Sequence, residues 1–220
     1  MNPTILESRT VGDILKRLPR QHKIKRSDYK DKGIIPVIDQ GEGFIGGYID
    51  DPSLAYNGPL PVVLFGDHTR ILKYLQFKFA IGADGTQLLR PNEDFDVQYF
   101  YYSLRALNLK NYGYERHFKY LKDEKIMWRP MPEQKTIVTI LSAYDDLIGN
   151  KNRRIQILEE MARKFYREWF VHFHFPGHEE VKFVTSPLGP IPEGWEPILF
   201  EALLVSMTGG DWGAEQPTDD

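Results

Sequence analysis

Apolar positions along this chain fall into two regimes, a front part of short mixed runs and one long helical stripe behind it. The stripe occupies the stretch from Pro132 to Phe175. Stepping by alternating fours and threes from Ile137 lands on Leu141, Tyr144, Ile148, Lys151, Ile155, Leu158, Ala162, Phe165 and Trp169, and Lys151 is the one polar member. A repeat of about 3.5 residues keeps one seam turned toward a partner helix. Pro132 and Glu133 suit a helix start, because the missing proline N–H is an orphan there anyway and the acid complements the dipole. Pro176-Gly177 is a stop. The pattern predicts a helix over 132–175, roughly 60 Å long.

Gly149-Asn150 interrupts the stripe, where glycine costs about 1 kcal/mol relative to alanine. A helical hairpin turning at Asn150 to Asn152 therefore competes with a continuous helix. The heptad phase continues unbroken across the site, which favours continuity. Lys151 has the character of a register device, a polar seam residue that sets alignment at some cost in stability. The plain alternative is an amphipathic helix packed on its own domain. Five heptads in phase favour a helix with a partner.

The front part reads as alternating short strands and helices. Thr10 is an N-cap candidate for a helix that places Val11, Ile14, Leu15 and Leu18 on one face before Pro19. Gly33 to Gln40 holds a short apolar run, and Leu60 to Gly66 reads as a buried strand. Lys73 to Ala80 alternates like a half-buried strand, Ala83-Asp-Gly-Thr signals a hairpin, and Gln87 to Pro91 supplies the next strand. Asp96 to Leu107 predicts a helix with Val97, Phe100, Tyr101, Leu104 and Leu107 inward. Gly41, Gly43 and Gly46 spell the dinucleotide fingerprint, but no helical pattern follows Gly46, so tight turns or a close backbone approach are the better reading.

Charge changes this picture. The 220-residue chain carries a net −3, yet residues 1–132 hold 20 basic against 16 acidic side chains while residues 176–220 hold 1 against 9. Basic residues cluster between Lys16 and Lys32 (Lys16, Arg17, Arg20, Lys23, Lys25, Arg26, Lys30, Lys32). Such a run is either a solvated loop or an edge that contacts phosphates. Tyr112 to Lys122 interleaves aromatics with Arg116, His117, Lys119 and Lys122, which can stack, bond phosphate and reach base edges. The alternative is a strand with packed tyrosines and solvated charges.

The chemistry suggested by the sequence is mostly negative. With no cysteine, there is no disulfide, thiolate metal site or thiol nucleophile. No apolar run approaches the ~20 residues of a membrane span, and the first residues lack a signal peptide's apolar core, so a soluble, cytoplasmic protein is expected. The methyltransferase N/D-P-P-Y/F loop is absent, and Asp123-Glu124-Lys125 is too generic to mark a nuclease. His172, His174 and His178 invite a metal reading, but without an acid or cysteine at firm spacing they read better as polar punctuation of an aromatic segment, and no metal site is expected.

Several motifs, in order, resemble the specificity subunit of type I restriction-modification systems. They are Arg116-His-Phe-Lys-Tyr-Leu-Lys, Pro130-Met-Pro-Glu-Gln, Ile140-Leu-Ser-Ala-Tyr-Asp-Asp-Leu-Ile and Asn152-Arg-Arg-Ile-Gln-Ile-Leu-Glu-Glu-Met-Ala-Arg. Tyr166-Arg-Glu-Trp-Phe-Val-His-Phe, Phe175-Pro-Gly-His-Glu and Gly189-Pro-Ile-Pro-Glu-Gly-Trp-Glu continue them, and Gly209-Gly-Asp-Trp-Gly is also similar to the family. The resemblance implies an α+β fold, a globular mixed α/β target recognition domain followed by a long coiled-coil helix. It assigns 1–131 to the recognition domain, 132–175 to a spacer and dimerisation helix, and 176–220 to a linker and the start of a truncated second recognition domain. Members of the family carry two recognition domains, each reading half of a split DNA target, separated by two antiparallel helices. Here the second recognition domain and helix are missing, so the chain is expected to be either a truncated form or, as the unpaired seam favours, a half-subunit that pairs with a copy of itself.

The same resemblance implies a non-catalytic subunit with no cofactor of its own. Its expected partners are double-stranded DNA and methyltransferase subunits, with the restriction and translocase subunit reached through these. S-adenosylmethionine then belongs to the methyltransferase, and ATP and Mg to the motor. DNA contacts are expected from Lys16, Arg17, Arg20, Lys23, Lys25, Arg26, Lys30, Arg116, His117 and Lys119 on phosphates, with Gln40, Thr86, Gln87, Tyr112 and Tyr114 toward bases. Self-pairing is expected through Ile137, Leu141, Tyr144, Ile148, Ile155, Leu158, Ala162, Phe165 and Trp169. A coiled-coil adaptor that binds protein rather than DNA, and a stand-alone enzyme with titratable groups in one cleft, are the competing classes.

Overall fold

A computed structural model describes residues 7–83, 85–110 and 115–204. The chain divides into two compact units, Met1–Leu147 and Ile148–Asp220. In the first, a short pair of β1 (Ser8–Thr10) and β9 (Lys125–Met127) lies antiparallel. A three-stranded antiparallel sheet orders β6 (Leu72–Leu75), β5 (Val62–Gly66) and β8 (Thr86–Leu89), with β5 central. A four-stranded sheet orders β2 (Lys23–Ile24), β7 (Ala80–Gly82), β3 (Ile35–Ile38) and β4 (Gly47–Ile49). In it β7 runs parallel to both β2 and β3, and β3 is antiparallel to β4. Helices α1 (Val11–Ile14), α2 (Val97–Arg105) and α3 (Phe118–Asp123) complete the domain.

The two-residue period of a strand explains how β5 builds two cores at once. Val63 and Phe65 join Val11, Ile14, Leu89, Phe100, Leu104, Leu121 and Ile126 in a core among the helices. Val62 and Leu64 face the other way, into a core with Ile38, Leu75, Phe79 and Ile81. Both faces of β5 are buried, so its sequence is a continuous apolar run rather than an alternation. A third core gathers Ile24, Ile35, Val37, Ile49, Ala55 and Ala80 from the four-stranded sheet and the turn after it.

Several expectations are corrected. The helix from Thr10 to Leu18 is a single turn, because Lys16 N–H is drawn to Arg90 O (2.8 Å) and Leu15 bridges Pro91. A nucleus of so few residues has little stability of its own, and strand-like pairing wins. Lys73 to Ala80 is not one strand: β6 stops at Leu75 and β7 begins at Ala80 in the other sheet. The strands on either side of the expected hairpin signal, β7 and β8, lie in different sheets and make no hairpin. Residues 118–123 are helical rather than extended. The rejection of a dinucleotide loop stands, since no strand–glycine–helix unit surrounds Gly41 to Gly46, and a Cβ on Gly46 would lie 2.6 Å from the Asp39 carboxylate.

Asp96 caps α2, its carboxylate accepting Gln98 and Tyr99 N–H groups at 2.8 and 3.0 Å. The long helix, α4 (Met131–Tyr166), is continuous through Gly149 and Asn150. Its first turns are fixed to the first unit. Ile137 and Val138 pack against the helical core, and fully buried Gln134 is bonded on both sides of its amide. Tyr102 donates to Asp145 Oδ2 at 2.8 Å, with Arg105 3.7 Å from the same carboxylate. Two seam residues thus belong to the domain's own surface: Ile137 packs inward, and Leu141 lines an apolar groove with Tyr99, Leu107 and Met127.

In the second unit the helix gives way to a π-helical turn over Arg167–Val171, earlier than the predicted Phe175. Phe173 there adopts a positive φ of 59°, which ends the helical path before Pro176-Gly177. Trp195 then gathers Phe170, Phe173 and Phe175, with ring centroids at 5.7, 5.5 and 5.7 Å. An antiparallel hairpin of β10 (Phe183–Ser186) and β11 (Gly189–Pro192) forms within the stretch expected to be a linker and the start of a second domain. Gly209 to Gly213 lie outside the described residues. From Tyr144 to Trp169 the seam is exposed, Ile155 at 53%, Leu158 at 61% and Phe165 at 55%.

Candidate nucleic-acid interface

Four separated segments of the first unit meet at one open cleft of about 600 Å³. Lys23, Lys25, Arg26 and Ser27 come from β2 and the turn after it, Asp67 and His68 from just after β5, Ala83 and Gly85 from the approach to β8, Gln87 from β8 itself, and Arg116 from the entry to α3. Lys23, Lys25, Arg26 and Arg116 are exposed cations around Asp67, the one acid among the described lining residues. An adjoining cleft of about 410 Å³ adds Arg20 and Gln21 and shares Lys23 and Gln87 with the first.

Local chemistry explains the arrangement. Lys23 is an edge-strand residue whose Nζ donates to Thr86 O at 2.7 Å, tying β2 to β8 across the cleft floor. The turn after β5 is clamped by Gln40, whose Oε1 accepts His68 N–H at 3.1 Å and whose carbonyl accepts the Thr69 hydroxyl at 2.8 Å. Gly85, at φ +65°, sits against the Gln40 amide so closely that a Cβ would lie 2.7 Å from its Nε2. Behind them Lys73 is buried and donates to Asp39 O and Gly43 O at 2.8 and 2.6 Å. Burial pushes its ammonium below the usual lysine range, against the pull of Asp39.

The predicted residues separate into groups. Lys23, Lys25, Arg26, Gln87 and Arg116 converge on the main cleft, with Arg20 beside it. Lys16 is ion-paired with Glu93 instead, and Lys30 with Asp50 at 2.7 Å, and neither lines these clefts. That pairing holds the Asp50 carboxyl below its ordinary range, the Lys30 hydrogen bond being the main cause. Arg17 is exposed and lines neither cleft, and Lys119 lies 5.0 Å over the Tyr120 ring. Gln40 is committed to the turn rather than offered to a base.

Thr86 and His117 are corrections. Thr86 is 2% and His117 1% exposed, so neither presents a side chain to a duplex. Thr86 is the inward member of a β-strand alternation whose outward neighbour is Gln87, and His117 bonds through Nδ1 to Asp67 O at 3.0 Å. Tyr112 and Tyr114 lie outside the described residues. The sequence reading missed Asp67, His68 and Ser27; a Gly-Asp-His-Thr turn after a buried strand was the available signal.

Outside the clefts, the three histidines of the second unit are locally engaged. His174 Nδ1 is 3.0 Å from Glu168 Oε2, and His178 Nδ1 is 2.9 Å from Phe175 O. The contact with His174 is the main cause that holds the Glu168 carboxyl below its ordinary range.

Comparison with known proteins decides the family. The model of the type I restriction modification DNA specificity domain matches residues 4–160, more than half of the chain. The chain belongs to this family. Among curated relatives, the type I restriction enzyme MjaIX specificity subunit of Methanocaldococcus jannaschii is 30% identical over 121 residues, covering 51% of this chain and 28% of that protein. The putative MjaX specificity subunit of the same organism is 35% identical over 135 residues, covering 54% and 30%. The crystal structure of the S subunit from M. genitalium shares the fold with a TM-score of 0.60 at 16% identity, covering 78% of this chain and 48% of that one. The chain thus spans under a third of these curated relatives and about half of that structure. Among the described residues no helix is long and apolar enough to cross a membrane.

Proposed function

We propose that this chain is the DNA-recognition part of a type I restriction-modification complex and reads one half of a bipartite target. The observation that carries the reading is the convergence of Lys23, Lys25, Arg26 and Arg116, from segments far apart in sequence, around Gln87 in one open cleft. Cations there neutralise phosphates and release counterions, which gives salt-dependent affinity. Gln87, outward on β8 between the two clefts, is placed to hydrogen-bond a base edge, adenine being the usual match for a glutamine amide. Phosphate contacts fix register and base contacts specify.

In this reading the exposed seam of α4 pairs with a second copy, so two recognition domains share one complex and the target is an interrupted palindrome. The paired chains dock methyltransferase subunits and, through them, the restriction and translocase subunit. S-adenosylmethionine, ATP and Mg are used by those partners, and this chain contributes recognition without catalysis.

Fluorescence anisotropy with a 30-base-pair duplex of random sequence, titrated across KCl concentrations, tests the proposal. Binding is expected to weaken steeply with salt, and Lys25→Ala with Arg26→Ala is expected to lower the log–log slope by about two, one phosphate contact each. Absence of salt-sensitive binding would favour the protein-binding adaptor instead. Selection of bound sequences from the same pool should return a two-part motif.

A further inference from the structure

Among the described residues, Asp67 is the one acid lining the main cleft, and it is 4% exposed. Its bonds do not run into the hydrophobic core but to the other segments that line the cleft. Its N–H donates to Gly85 O at 2.6 Å, and its carbonyl accepts the His117 N–H at 2.9 Å. Its carboxylate Oδ1 accepts the Phe118 N–H at 2.7 Å, across 51 positions of sequence. Phe118 is the first residue of α3, so that N–H is one of the helix's orphan donors and has no partner within the helix. Arg116 stands two residues earlier, on the strip of backbone that these bonds hold.

We propose that Asp67 is a positioning residue of the recognition cleft, whose carboxylate fixes the Arg116 segment at the spacing from Lys23 and Arg26 that a DNA backbone requires. This rests on the reading of the cleft as a DNA surface. A role in direct contact is the weaker option, because a carboxylate facing phosphates repels them and Oδ1 is already used. Loss of the acceptor leaves the Phe118 N–H without its partner and loosens the entry to α3, which the His117 bonds to the Asp67 carbonyl still tether. Arg116 then samples positions from which no phosphate contact forms, although the arginine itself is intact.

The test uses the full chain and the same random-sequence 30-base-pair duplex. Arg116→Ala is expected to lower the salt slope by about one. Asp67→Ala is expected to lower it by the same amount, and the double variant by no more than either alone. Asp67→Asn retains an acceptor oxygen and is expected to restore the wild-type slope, which a role resting on the negative charge would not. If Asp67→Ala does not fold, Asp67→Glu, one methylene longer, displaces the same segment and carries the same expected loss. A slope lowered by Arg116→Ala but unmoved by Asp67→Ala or Asp67→Glu overturns the positioning role while leaving the DNA reading standing. An additive double variant overturns it equally. If wild type shows no salt-sensitive binding, or Arg116→Ala changes nothing, the cleft reading itself fails.

Discussion

Gln134 shows how much one uncharged residue can hold. Its Oε1 accepts the Asp96 N–H at 2.7 Å, and its Nε2 donates to Asp94 O and Arg129 O, each at 2.7 Å. The amide therefore joins the first turn of α4 to the cap of α2. Gln134→Ala strands buried backbone groups, and its expected cost is about 3 kcal/mol, readable as a lowered urea midpoint. Tyr102 makes a second joint, and its phenol is pushed up to about 12, first by burial and then by the Asp145 carboxylate that accepts its proton. The folded state consequently holds this proton over a pH range where an unfolded tyrosine, with its ordinary value near 10, has lost it. Stability from this group is full below pH ~10 and declines as pH rises toward 12. Tyr102→Phe should flatten that part of the stability–pH curve measured by denaturant titration. Neither joint was legible in the sequence. A glutamine three residues before the first seam position looks solvent-facing until residues 94–96, some forty positions earlier, are folded beside it.

Elements were legible in proportion to how far their own residues determine them. The long helix has a period that no short-range competitor matches, and α2 announces itself with an aspartate cap and an apolar face. β5 was equally clear, since a strand buried on both faces must be apolar throughout. The failures lie where partners are distant. β7 looks like the first arm of a hairpin, yet it pairs in parallel with β2 and β3 because Ile81 and Ala80 complete cores on that side. The basic run from Lys16 to Lys32 divides for the same reason: Glu93 captures Lys16 and Asp50 captures Lys30, while Lys23, Lys25 and Arg26 reach the cleft. The one ambiguity inside the long helix can be tested directly. A Cβ added at Gly149 meets nothing within 4 Å, and the backbone there is helical. Gly149→Ala is expected to stabilise the protein by about 0.5–1 kcal/mol, mostly by restricting the unfolded chain. A hairpin turn at that position would make the same change destabilising, so a urea midpoint that falls would sink the continuous helix.

On the scale of the molecule, the exposed side chains of α4 set the strongest demand. Tyr144, Leu147, Ile148, Ile155, Leu158, Met161 and Phe165 are all exposed along its length. Solvated monomers rarely leave contiguous apolar surface of this extent uncovered, and patches beyond a few hundred Å² mark interaction sites or aggregation. Seam positions that repeat every fours-and-threes cover such a surface best with another helix of matching period, and a second copy supplies one. The chain of 25.6 kDa is therefore expected to run at about twice that mass in light scattering behind a sizing column. Ile155→Lys with Leu158→Lys places charges in the middle of the seam, far from the cleft residues in sequence, and is expected to give the monomer mass. The double variant should keep the salt slope for the random duplex per chain, since Lys25, Arg26 and Arg116 are untouched. It should lose the two-part motif in sequence selection and return a single half. A wild-type chain that is monomeric at every concentration would remove the self-pairing and with it the symmetric target, while the half-site reader in the cleft would remain to be judged by its own salt dependence.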